Sequence, residues 1–504
     1  MSLKRNVIAN YVSQLYVTLV AIFMLPVYVL YLGTEAYGLV GLFGIVQGCL
    51  QFLDIGLSAT LSREVAAHRA DSLSQNTLNV LIRSLSAFFL VVGLLLLIGA
   101  WLGRDWIATG WLQANSLSPV IVSRCIFLMA VAAILRWFSE PYRAVIGGWE
   151  QQTWLGAYTV AIATGRFIFV LPLLFAFPKD PIAFFIFQIV IAAVELMGLW
   201  GKAGALLPGV RMLPSPRAEP LRAMWRFSGA LAFCSTVWLV VTQIDKLVLS
   251  RFLSLVDYAY FAIAITVANG VTILSAPIRN ALIPRLTYLT AKQDIKGTYK
   301  IYRDATQWMG VIVWPAACSA AFFAEPLLRM WTQNPTISQR AAPILFWYSL
   351  GNALLAVAAV QFYLQFAHGK LRLHVIGNAI FVLVLVPCIL WASSTYGALG
   401  AGRVWFTENL LFLLTWTWVV HRQFAPGLHW KWITADVLPI AVTPLTVCYL
   451  LSTVAIWPAD RFMAGGQLLI FRGLALISAM LASSYLRRNV MRVFRKRVTP
   501  IAAD

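Results

Sequence analysis

Residues 83–102 read RSLSAFFLVVGLLLLIGAWL, with one charge at the edge and none after it. The run neither alternates with a period of two nor carries a polar stripe at helical spacing. A hydrocarbon core about 30 Å thick needs about 20 such residues in an α-helix. This stretch alone therefore reads as a membrane-crossing helix. Working outward from it, similar runs recur along the chain: Val7–Leu32, Gly38–Thr60, Arg83–Leu102, Pro119–Trp137, Thr153–Phe175, Pro181–Trp200, Phe227–Leu249, Tyr258–Ile278, Thr306–Phe323, Ala342–Phe366, Leu373–Ala392, Ala398–Val420, Ile433–Ile456 and Gln467–Tyr485. The expected fold is an all-α polytopic membrane protein of about fourteen transmembrane helices. A transmembrane β-barrel needs short alternating segments, which these are not.

Composition agrees. Across 504 residues, 60% are hydrophobic and only 12% charged. A soluble surface needs about twice that charge. Soluble, disordered, collagen-like and disulfide-stapled classes are excluded. The six cysteines, Cys49, Cys125, Cys234, Cys318, Cys388 and Cys448, all lie inside apolar runs and form no CxxC pair. They read as core residues, not as a disulfide framework or metal site.

The formal charge is +20. Its distribution carries the information. Lys4 and Arg5 precede the first span, Arg63 and Arg69 follow the second, and Arg211, Arg217, Arg222 and Arg226 follow the sixth. Arg285, Lys292, Lys296, Lys300 and Arg303 follow the eighth, and the tail holds Arg487, Arg488, Arg492, Arg495, Lys496 and Arg497. Intervening breaks are poorer in cations. Under the positive-inside rule both termini are cytoplasmic and the span number is even. The basic tail is expected against anionic headgroups. No basic-aromatic nucleic-acid module occurs. The charged start MSLKRN runs into too long an apolar segment, without a cleavage site, for a signal peptide; it reads as an uncleaved first helix. Every connecting segment is short, and no GxxxxGK[ST] loop, HExxH or GxSxG motif occurs, so neither ATP hydrolysis nor catalysis is expected. The five histidines form no cluster. No catalytic residue, metal or cofactor is expected.

An internal echo divides the chain. Leu32 and Tyr37 in LGTEAYGLVG match Leu253 and Tyr258 in LSLVDYAYFA, and at the same spacing Leu61 matches Leu282. About six spans separate the two, so the halves would repeat in parallel about an axis along the membrane normal. The expected organisation is a six-helix bundle over 1–206, a second over 207–425, and two further helices with the basic tail over 426–504.

Ionisable groups at membrane depth cost at least about 2.5–3.5 kcal/mol on insertion scales and usually face a cavity or a partner. The candidate cations are Arg166, Lys246, Arg124, Arg403 and Arg472; the candidate anions are Asp54, Glu195, Asp245 and Glu408. Arg166 lies deepest, and two readings stand open: it lines an aqueous cavity, or it pairs with Glu195 on the next span. Asp245 and Lys246 are adjacent and point about 100° apart. Arg124, Arg403 and Arg472 lie a turn or two from outer span ends, where snorkelling competes with substrate contact. Together the five cations would make a positive chamber suited to an anionic headgroup. A desolvated carboxylate can carry a proton, which makes the four anions candidates for ion coupling; Asp54 can equally cap the turn after it. Pro26, Pro172, Pro277 and Pro315 sit within or at the ends of spans as bending points or static kinks. Most of the 20 Trp are expected in interfacial belts, a minority against sugar faces.

The stretches LPVYVLYLGTEAYGLVGLF (25–43), FLDIGLSATLSREVA (52–66) and QIDKLVLSRFLSLVDYAYFAIA (243–264) resemble the polysaccharide repeat-unit (Wzx-type O-antigen) flippases of the multidrug/oligosaccharidyl-lipid/polysaccharide exporter superfamily. The resemblance implies translocation of undecaprenyl-diphosphate-linked oligosaccharide from the cytoplasmic to the periplasmic leaflet of the bacterial inner membrane. It implies alternating access, a cationic cavity, and coupling to an ion or proton gradient. It also implies membrane lipids, a polysaccharide polymerase and a chain-length regulator as partners. It offers no universal residue motif to place on Arg166 or Lys246. A peptidoglycan-precursor flippase shares the plan. A drug/cation antiporter of the superfamily usually carries an acid in its first helix, and Val7–Leu32 has none. A membrane glycosyltransferase or polymerase would need a large outer loop or an acidic motif.

Overall fold

The computed structural model describes residues 3–54, 57–69, 74–208, 239–458 and 460–488. Arg211, Arg217, Arg222, Arg226, Cys234, the first part of the seventh span, and Arg492, Arg495, Lys496 and Arg497 lie outside the described residues.

Helix is the only regular structure among the described residues. In chain order the helices are α1 (Leu3–Leu32), α2 (Thr34–Leu53), α3 (Leu57–Arg69), α4 (Gln75–Trp106), α5 (Pro119–Phe138), α6 (Glu140–Gly148), α7 (Gln152–Phe167), α8 (Leu171–Ala176) and α9 (Pro181–Leu206). After α10 (239–252) come α11 (Leu255–Ile273), α12 (Ala276–Ala291), α13 (Ile295–Phe322), α14 (Ala324–Thr332), α15 (Pro335–Ala367), α16 (Arg372–Leu411), α17 (Thr417–Phe424), α18 (His429–Trp432), α19 (Leu438–Val454) and α20 (Arg461–Ala482).

Boundaries follow local chemistry. Ser118, Asp180 and Asn334 each cap a helix whose next residue is proline, their side chains accepting the orphan N–H of Ile121, of Ile182 and Ala183, and of Ile337. Proline at the first helical position has no N–H to leave unpaired. Ser74, Asp294 and Asp460 cap α4, α13 and α20 in the same way. Three acidic groups are thus spent on caps at helix N-termini.

From Ala87 to Gly103 α4 is apolar all round. Leu78, Leu81, Leu85 and Phe89 are buried, while Leu90, Leu94, Ile98 and Leu102 form an exposed row at four-residue spacing. In water that row would be a liability; against acyl chains it is the expected surface.

All fourteen spans read from the sequence fall mainly on helix, the second and seventh within their described parts. Among the described residues ten helical runs are long and apolar enough to cross a membrane, or eleven if the pair α13 and α14, bent by 77° at Phe323, counts as one more. One run, Arg372–Phe424, holds the eleventh and twelfth spans. The backbone shows that it is a hairpin. Gly397 takes φ 59°, ψ −145°, a region open essentially only to glycine. A Cβ at Gly400 would run into the carbonyl of Ala392, eight residues back and about 12 Å away in a straight helix. Phe381 on the first arm packs on both Trp405 (6.3 Å) and Phe412 (5.4 Å) of the second. The described helices are consistent with fourteen crossings. The fourth span is longer than expected, running through Ser139 to Gly148, and the ninth begins at Ile295 instead of Thr306.

The repeat extends to the elements. At the spacing that separates Leu32 from Leu253, α2, a break and α3 fall on α11, a break and α12. All six matched side chains, Leu32, Tyr37, Leu61, Leu253, Tyr258 and Leu282, are buried.

The chain forms two compact units, Met1–Ala259 and Tyr260–Asp504. In the first, α5 packs on α4 and α9, α1 on α7, and α3 on α6. In the second, α15 is central, between α13 and α16, and α19 and α20 pack on α13. The two C-terminal helices are fastened by a polar knot. Asp436, fully buried, accepts from Arg303 Nε (2.5 Å) and Nη2 (3.0 Å) and from Gln307 Nε2 (2.6 Å). Gln307 Oε1 accepts from Ser483 Oγ (2.8 Å) and the Tyr485 N–H (2.9 Å).

Candidate functional site

Arg166 lies in the last turn of α7. The span containing it is broken: α7 ends at Phe167, residues 168–170 turn, and α8 begins at Leu171. Pro172 explains the break, since it cannot donate to the carbonyl four residues back. The freed carbonyls find side chains. Phe167 O accepts from Tyr28 Oη on α1 (2.9 Å), and Arg166 O from Gln188 Nε2 on α9 (3.5 Å). The half-buried Arg166 guanidinium lies over the Phe167 ring at 4.3 Å. A cation at a helix C-terminus offsets the helix dipole.

Glu195 does not meet Arg166. Its carboxylate, with 5% of the side chain exposed, is shared by two other arginines: Oε2 accepts from Arg136 Nε (3.2 Å) and Oε1 from Arg143 Nη2 (2.6 Å). Arg143 also donates to Thr159 Oγ1 (3.2 Å) and lies 3.6 Å from Glu140. Asp54 stands near enough to Glu140 to act on it electrostatically. Sequence reasoning missed this network because it ended the fourth span at Trp137 and so placed Glu140 and Arg143 in a loop. The signal was present: Ser139, Glu140 and Pro141 read as a helix start, and Glu140 and Arg143 lie three apart on one face.

Asp54 occupies the break between α2 and α3. It accepts from the Ser58 N–H (3.1 Å) and Ser58 Oγ (2.6 Å), as a cap does. Arg63 pairs with Glu64 at 2.6 Å. Lys246 is half-buried on α10, its Nζ donating to Thr242 O (2.7 Å) and Gln243 Oε1 (3.1 Å). Gln243 in turn lies against Gly48 of α2. Asp245 is buried and accepts the Lys246 N–H at 2.8 Å. Arg124, Arg403 and Arg472 are exposed.

Glu408 differs from the other carboxylates. It is 8% exposed, and neither oxygen has a hydrogen-bond partner among the described residues. It lies on the second arm of the α16 hairpin. Nearer the turn, Arg403 reaches over the Trp347 ring at 6.0 Å. Trp347 also lines an open cleft of about 380 Å³ at the α13–α14 bend, with Phe322, Glu325 and Phe346. Another cluster absent from the sequence reading is His421, whose ring nitrogens meet His429 (3.1 Å) and Tyr302 Oη (2.7 Å). Among the described residues no three or more His, Cys, Asp or Glu come together as a metal would need.

These placements put two charge-bearing sites, at Asp54 and Arg166, and one arginine–carboxylate network inside the first compact unit. The family model described as polysaccharide biosynthesis protein matches residues 3–290, which contain all of them. The chain belongs to that family. A Shigella flexneri member of the curated proteins, assigned as an O-antigen transporter, is 21% identical over 430 residues, covering 84% of this chain and 99% of its own. Among solved structures, the lipid II flippase MurJ in an inward closed conformation superposes with a TM-score of 0.74 at 12% identity, covering 96% of this chain and 100% of that one. An inward-facing multidrug resistance MATE transporter of the MOP superfamily gives 0.63 at 15% identity, over 81% and 96%. This polysaccharide biosynthesis family protein therefore shares its fold with that flippase and that transporter.

Proposed function

We propose that the protein moves a polyprenyl-diphosphate-linked oligosaccharide of the O-antigen type from the cytoplasmic to the outer leaflet of the bacterial inner membrane. The observation that carries this reading is the family match over residues 3–290, because that segment holds the intramembrane charges of the first unit. A diphosphate cannot cross hydrocarbon unaided, since a desolvated ion costs far more than any contact returns. Arginine offers it a planar fork of donors, lysine a point charge. Arg166 and Lys246, both half-buried, are the cations we assign to diphosphate contact. Arg124, Arg403 and Arg472, being exposed, are assigned to gathering the anionic cargo at the surface. The sugar–diphosphate head crosses while the lipid tail stays among acyl chains. Two six-helix bundles, 1–206 and 207–425, would alternate access, with 426–504 as an appended pair of helices.

The test is depletion of the protein in its host. Lipid-linked repeat units should build up complete and on the cytoplasmic leaflet, protected from a membrane-impermeant periodate reagent. Accumulation of partly assembled units would instead indicate a glycosyltransferase.

A further inference from the structure

The structure separates the four carboxylates that the sequence places at membrane depth by what they touch. Asp54 is committed to Ser58. Glu195 is held by two guanidiniums. Asp245 accepts from a backbone N–H and has further interactions. Glu408 alone has both oxygens buried without a hydrogen-bond partner among the described residues.

We propose that Glu408 is the group on which this transporter takes up and releases a proton in each cycle. The proposal rests on the reading of the chain as a flippase and adds the coupling residue. Trp405, Glu408 and Phe412 lie at i, i+3 and i+7, so they share one face of the hairpin's second arm. Trp405 is fixed by its Nε1–H donating to Asn352 Oδ1 at 3.0 Å, and it stacks on Tyr348 at 6.3 Å. Phe412 packs edge-on to Phe381 at 5.4 Å. Glu408 therefore stands between two aromatic layers. The neighbouring elements do carry titratable groups. Arg340, Tyr348 and Tyr363 are on α15; Arg372, His374 and Arg403 are on α16; His421 and Arg422 are on α17. None of them bonds or pairs with Glu408. Arg403 is engaged with Trp347, His374 with Asn378 (3.0 Å), and His421 with Tyr302.

An ionised carboxylate in such a place, with neither counter-ion nor donor, is strongly disfavoured. The neutral acid removes the charge. Ionisation becomes favourable only when the site gains water, so proton occupancy and exposure of the site are linked. On the acidic side a hydronium ion yields its proton to the carboxylate, forming water and the carboxylic acid. On the other side the acid's O–H bond breaks and the proton returns to water. The cycle moves one proton and leaves Glu408 unchanged.

Two measurements on the full-length protein test this. In lipid nanodiscs at neutral pH, infrared spectra should show the carbonyl stretch of a protonated carboxyl group. That band should be missing from Glu408→Gln and retained, shifted, in Glu408→Asp. Identical wild-type and Glu408→Gln spectra across the pH range would overturn the proposal. In proteoliposomes, a fluorescent polyprenyl-diphosphate oligosaccharide should cross faster with an imposed pH gradient than without. Glu408→Gln should make the two rates equal. A gradient response surviving in Glu408→Gln, or absent from the wild type, would also overturn it. If wild type moves no probe at all, the flippase reading fails, and the infrared comparison still decides the state of Glu408. Gln fills the same space, so loss of folding is not the expected result.

Discussion

At the scale of single residues, the informative charges are those whose partners the structure names. Glu195 binds two arginines with almost none of its side chain exposed. Removing one member of a buried pair leaves the others uncompensated, at a cost of about 3–5 kcal/mol. Glu195→Ala should lower the thermal stability of the purified protein by a shift of that order, while Arg136→Lys, which keeps the charge, should cost less. Unfolding of the variants in detergent gives the comparison; equal stability would show that the network is not bearing on the fold. Arg166 makes the opposite kind of claim. Its own side chain stacks on Phe167 and forms no ion pair with Glu195. Arg166→Ala should insert normally and reduce glycan export, and Arg166→Lys should retain part of it, as read by surface polysaccharide in a complemented deletion strain. Full export by the Ala variant would remove Arg166 from the proposed cargo path. Residue identity and rough depth were legible in the sequence. Pairing was not, because Glu195 selects partners across α5 and α6, and that choice depends on how three helices pack.

At the scale of elements, continuity is what the sequence conveyed least well. The runs themselves were plain, since about 20 apolar residues admit few alternatives. The breaks within them needed local chemistry. Pro172 and Ser139–Glu140–Pro141 could have been read, and so could the start of the ninth span, where Asp294 caps the polar turn by accepting the Gly297 N–H. Gly397 gives this scale its prediction. Its backbone angles are open essentially only to glycine. Gly397→Ala should therefore strain the hairpin by about 1–3 kcal/mol, and a protease-resistance or thermal-shift assay should show the second unit weakened. No change would mean that the eleventh and twelfth spans turn differently. The hairpin also carries Glu408, so its geometry underlies the proton proposal.

At the scale of the whole molecule, three matched side chains in the sequence suggest a duplication, and at their spacing α2 and α3 fall on α11 and α12. Family membership and the superfamily fold followed from longer resemblance than any motif offers. By the positive-inside rule the cation pattern predicts both ends of the chain on the cytoplasmic side. A single cysteine introduced at Arg488 in a variant otherwise free of cysteine should react with an impermeant maleimide only after the cytoplasmic face is opened; labelling in intact cells would invert the topology. Transport itself is the central claim. The measurement that tests it most directly is reconstitution of the purified protein in liposomes with a polyprenyl-diphosphate-linked oligosaccharide, following its access to a lectin outside. Lipid loaded in the inner leaflet should become lectin-accessible in protein-containing vesicles and remain hidden in vesicles without it. Equal accessibility in the two would contradict the account.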